Sequence, residues 1–117
     1  PRDNDKYILQ YEMQKAKKAP IGKLIEILEK YIQEDMEEKW AYELAKLYHE
    51  AGDEESCVDM CDEISLWFAE GKYVNKAMEL KKLYRPLTKL QQERYDNYRL
   101  GRKPLQKIEK KTNRQET

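Results

Sequence analysis

Ala41, Glu43, Leu44, Lys46, Leu47 and Tyr48 recur 36 residues later, at unchanged spacing, as Ala77, Glu79, Leu80, Lys82, Leu83 and Tyr84. Within each copy the apolar positions fall three and four apart, which places them on one face of a helix. A unit of this length has room for two helices and a turn. A single helix pair leaves part of its apolar stripe uncovered, so repeated pairs stack on one another. The repeat therefore predicts an all-α chain of antiparallel helix pairs, stacked as a short solenoid of about six helices.

Composition agrees with that reading. The 117 residues suffice for one domain or a short repeat array, and only four Gly and four Pro interrupt them. Charged and hydrophobic residues each make up 39% of the chain, the balance of a heavily solvated helical protein. The longest stretch without a charge, residues 64–69, is far short of the roughly 20 apolar residues of a membrane-spanning helix. Residues 1–6 hold no apolar core of a secretory signal, and the missing initiator Met fits a piece of a longer protein. Cys57 and Cys61, four apart on one expected helix, suit small buried hydrophobes in the reducing cytoplasm better than a disulfide.

Local signals place the elements. A first helix is expected over residues 5–18, broken by Pro20, which is tolerated in the first turn of a second helix over 21–35. Leu24, Ile25, Ile27, Leu28 and Tyr31 give that helix its apolar face. After an acidic turn at 35–38, a third helix carries Ala41, Leu44, Ala45, Leu47 and Tyr48 and stops at Gly52. Asp53 is the N-cap of a fourth helix over 54–69, expected to bury Cys57, Val58, Cys61, Ile64, Leu66, Trp67 and Phe68 in part and to end at Gly71. A fifth helix spans 73–84 and closes before Pro86, and Thr88 with Gln91 forms a capping box for a sixth ending by Gly101. The pairs are then about 5–36, 39–70 and 73–101, followed by a basic, flexible tail over 102–117.

Leu44, Ala45, Tyr48 and the Gly52-Asp53 turn resemble the tetratricopeptide repeat family, most clearly over residues 24–64, where Cys57, Cys61 and Ile64 occupy further consensus positions. Glu12 and Lys81 stand at small-residue positions of the first and third pairs, either as polar outer faces of capping repeats or because only the central pair is a true repeat. Tyr48 and Trp67 are expected to fill the space between successive pairs. The resemblance implies a concave groove lined by the first helix of each pair: Leu9, Met13 and Ala16, then Tyr42, Lys46 and His49, then Met78, Lys82 and Arg85. That groove, apolar at one end and basic at the other, would suit a protein segment carrying acidic and hydrophobic residues. The family's Lys and Asn clamp for a terminal carboxylate is not expected, since the third helix has no Asn.

Catalytic chemistry finds little footing. One histidine, two serines and four isolated glycines make neither a nucleophile site nor a phosphate loop, and His49 with the two cysteines lacks a fourth zinc ligand at a recognised spacing. No cofactor is expected, and the acidic set between Asp53 and Glu63 lacks the spacing of a calcium loop. Charge is instead segregated: residues 26–64 hold 14 acidic and 3 basic side chains, residues 71–117 hold 5 and 14, and the net is zero. The expectation is a noncatalytic protein-protein interaction module and scaffold. One alternative is a nucleic-acid-associated helical adaptor using the basic C-terminal half, above all residues 99–114 with seven cations and one carboxylate, and Tyr95 and Tyr98 for stacking. The other is a self-associating scaffold.

Overall fold

The computed structural model describes residues 4–102, and the expected tail, from residue 103 on, lies outside the described residues. Six α-helices and no strand are found among them: α1 Asp5–Ala16, α2 Ile21–Glu34, α3 Glu38–Glu50, α4 Glu54–Phe68, α5 Lys72–Lys82 and α6 Lys89–Leu100. Each helix packs on the next in sequence, and α3 also packs on α5. The result is an all-α, repeat-like array. Among the described residues no helix is long and apolar enough to cross a membrane.

The stripe read from the sequence is the core. Leu24, Ile27, Leu28 and Tyr31 of α2, Ala41, Leu44, Ala45, Leu47 and Tyr48 of α3, and Cys57, Cys61 and Ile64 of α4 are all buried. Small side chains at Ala41, Ala45, Cys57, Cys61 and Ala77 are completely covered and let neighbouring helix backbones approach. The cysteines are free thiols, and burial pushes both thiol pKa values up, away from reactivity.

Chain reversals follow backbone chemistry. At the ends of α1, α3 and α6, Lys18, Gly52 and Gly101 take a left-handed conformation and close paired reverse hydrogen bonds. Asp53 caps α4 by accepting from the Ser56 N–H at 3.2 Å. Thr88 and Gln91 form the expected capping box at the start of α6, each bond 3.1 Å long. Pro20 is the N-cap of α2 rather than a residue of its first turn. Gly71 does not end α4: that helix stops at Phe68, Ala69 turns the chain with φ +63°, and Gly71 opens α5 with φ +142°. A Cβ on Gly71 would lie 3.1 Å from a Glu38 carboxylate oxygen, so both space and backbone favour glycine there.

Two expectations are corrected in α4. Leu66 and Trp67 are 80% and 63% exposed, and Trp67 fills no space between pairs. Successive residues point about 100° apart on a helix, so 64 to 68 cannot all face inward, and burial goes to Ile64 and Ser65. Lys81 is the converse. It is 5% exposed, and its ammonium donates to Asp62 at 2.7 Å and to the Gln91 side-chain oxygen at 2.9 Å. It is therefore no part of a polar outer face. Gln91 also donates to Asp62 at 2.8 Å, so the residue that caps α6 ties α6 to α4 and α5.

Candidate functional site

The described surface where aromatic and cationic side chains converge is the seam between α3 and α5. Val74 and Ala77 turn one side of α5 into the core, which leaves Tyr73 beside α3. Its ring lies 6.0 Å from that of Tyr42. Lys46, one turn beyond Tyr42, places its ammonium 5.4 Å from the Tyr42 ring centre, and Lys72 stands 5.2 Å from that of Tyr73. Lys76 bridges the pair, 6.0 Å from one ring and 5.7 Å from the other. Such contacts add a modest attraction at an exposed site and hold the cations over the rings. Burial, with the carboxylates of Glu79 and Glu43 and the neighbouring thiols, raises the Tyr42 phenol pKa, so the ring stays neutral beside its lysines.

Carboxylates near this seam are already engaged. Glu43 accepts from the Tyr11 hydroxyl at 2.6 Å and pairs with Lys15 and Lys46, each at 3.4 Å. Burial works against its charge, but the Tyr11 hydrogen bond and the two lysines prevail and hold its carboxyl below the usual range. Glu79 accepts from Asn75 and Tyr95. Among the described residues neither Lys72 nor Lys76 has an ion pair.

The six groove residues read from the sequence divide among four settings. Tyr42 and Lys46 belong to the seam. His49 meets the Tyr84 hydroxyl through its Nδ1, with the two rings edge to face at 5.5 Å. Met78, at 1% exposure, is core beneath α6 and presents nothing to a ligand. Lys82 and Arg85 line a separate shallow concavity with Leu87 and Gln92. There Lys82 lies 4.9 Å from the Tyr95 ring centre and Arg85 pairs with Glu54 at 3.5 Å. On α1, Leu9, Met13 and Ala16 are exposed, and the first two border another open concavity with Lys6 and Lys30.

Sequence reasoning missed Lys72, Tyr73 and Lys76. The repeat offset drew attention to Met78 and Lys82, which on α5 turn toward the core and α6, and to Arg85, which lies beyond the end of α5 and pairs with Glu54 of α4. The available signal was Tyr73 itself, one turn before Ala77 and flanked by lysines at 72 and 76. Tyr95, proposed for base stacking, is buried, with its hydroxyl on Glu79 at 3.3 Å. No group of three or more His, Cys, Asp or Glu side chains among the described residues is placed to hold a metal ion. Compared with protein-family models, curated proteins and solved structures, the chain gives no match.

Proposed function

We propose that this chain is a noncatalytic interaction module of the tetratricopeptide type, which holds a segment of a protein partner against the α3–α5 seam. The observation that carries the reading is the Tyr42–Tyr73 pair with Lys46, Lys72 and Lys76 ranged over it. Tyrosine rings bring contact area at low entropic cost, and Lys72 and Lys76, which have no ion pair among the described residues, favour an acidic segment. The partner chemistry is thus carboxylates interspersed with apolar anchors. Two buried free thiols suit a reducing compartment such as the cytoplasm.

Fluorescence anisotropy with a labelled acidic-apolar peptide tests this. Lys46→Glu with Lys76→Glu should weaken binding about tenfold or more, since charge reversal at a docking face costs roughly 1.4 kcal/mol or above. Lys82→Glu with Arg85→Glu, in the other concavity, should leave it within about twofold. The reading fails if the peptide does not bind, or if both pairs of substitutions act alike. Labelled single-stranded RNA that binds with a steep salt dependence, where the peptide does not, would replace it with the nucleic-acid reading.

A further inference from the structure

Helix α4 has the surface that the α3–α5 seam is suited to receive. It carries Glu54, Glu55, Asp59, Asp62 and Glu63 and no cation. Glu54 and Asp62 are engaged by Arg85 and Lys81. Glu55, Asp59 and Glu63 are exposed and have no ion pair among the described residues. These three are spaced by one turn and lie opposite the buried stripe of Cys57, Cys61 and Ile64. The same outward side ends in Leu66 and Trp67, the large apolar residues of α4 that stand exposed. An adjacent exposed Leu and Trp closing an acidic ridge is the make-up of an interface anchor, because Trp is the side chain most enriched at binding hot spots.

We infer that the partner held at the α3–α5 seam is a second copy of this chain, which offers the outer ridge of its α4. The inference rests on the seam being a docking face, as proposed above. Charge complementarity assigns the occupant. Three carboxylates without ion pairs on α4 face Lys46, Lys72 and Lys76 of the next copy, while Leu66 and Trp67 supply apolar area against Tyr42 and Tyr73. Ridge and seam are different surfaces of one molecule, so the contact is heterologous and each copy keeps one unused half. Zero net charge removes the long-range repulsion that would otherwise oppose association.

Sedimentation velocity of the full chain over a wide concentration range, at low and at physiological ionic strength, reads this out. The expected result is a mass that rises with concentration and falls with salt. Trp67→Ala should weaken association about tenfold with unchanged helicity, as expected of a hot-spot residue. A ridge variant (Glu55→Lys, Asp59→Lys, Glu63→Lys) and a seam variant (Lys46→Glu, Lys72→Glu, Lys76→Glu) should each be monomeric alone. Their mixture should associate, because the first keeps its native seam and the second its native ridge. A chain that stays monomeric yet binds the acidic-apolar peptide overturns the inference and leaves the seam reading standing; a chain that does neither overturns both. Association that ignores salt and Trp67→Ala overturns the inference alone.

Discussion

Tyr11, Tyr31 and Tyr48 each bury a ring and end on a carboxylate, of Glu43, Glu37 and Glu29 respectively, at 2.6 Å. The helical stripe made the Tyr31 and Tyr48 rings legible as core, but the partners of Tyr11 and Tyr48 were not, since they lie 32 and 19 residues away on another helix. A hydrogen bond to a charged group contributes about 1.5–3 kcal/mol, so Tyr11→Phe should lower the urea-unfolding free energy by about that much. Its pH dependence has a definite sign. Burial first, and then the Glu43 bond, raise the Tyr11 phenol pKa, and Tyr48 is raised likewise by burial and Glu29. Their contribution is full below the unfolded phenol value of about 10 and is lost as pH rises through the folded value. Glu43 is lowered, so its contribution is present above the unfolded carboxyl value of about 4.3 and is lost as pH falls through the folded value. Stability measured by circular dichroism against pH should therefore fall on both flanks, and Tyr11→Phe should flatten both. Lys18 presents a different case, a side chain held at φ +58° where α1 reverses. Lys18→Gly should raise stability by about 0.5–1 kcal/mol, because glycine alone takes that conformation without steric cost.

At the scale of elements, what could be read early was what is local. The Thr88–Gln91 box and the Asp53 cap are contacts between residues three apart, and both form. Lys81 could not be read, because its burial depends on Asp62 and Gln91 reaching it from two other helices. Nor could the seam be read in full: the repeat pointed at Lys82, but packing of α5 turns that face to Tyr95 and gives the open side to Lys76. Both failures arise from one cause, that a helical stripe fixes which residues face inward but not which neighbour covers each flank. Lys81→Ala would leave a void and strand part of Gln91 and Asp62. Breaking a fully buried pair costs about 3–5 kcal/mol, and since the Asp62 side chain is 41% exposed the loss should be nearer 2–3 kcal/mol. Lys81→Met, which keeps the apolar stem, should cost about 1 kcal/mol, the deficit being the lost hydrogen bonds. Equal losses for the two in chemical denaturation would mean that the Asp62–Gln91 linkage alone, not packing of the apolar stem, holds Lys81 in place.

Across the whole molecule, stability should be graded along the array. Helix α3 is packed on three sides, by α2, α4 and α5, whereas α6 packs chiefly on α5 and reaches α4 through the Gln91–Asp62 bond. In an array whose units touch only their neighbours, a central unit gains two interfaces and a terminal unit one. Beneath α6, Asn75 Oδ1 and Arg94 Nε are buried without a hydrogen-bond partner among the described residues, which further weakens its seat. Native-state hydrogen exchange should accordingly find the slowest amides in α3 and α4 and the fastest helical amides in α6, since exchange reports local opening. Lys81→Ala should speed exchange in α6 and leave α2 unchanged, as its ammonium links to Asp62 of α4 and Gln91 of α6. Uniform protection, or a Lys81→Ala effect that spreads evenly to α2, would instead mean that the six helices open as a single cooperative unit. In that event the acidic ridge of α4 and the lysines of α5 would be fixed in relation to each other, and a weakened α6 would disturb both.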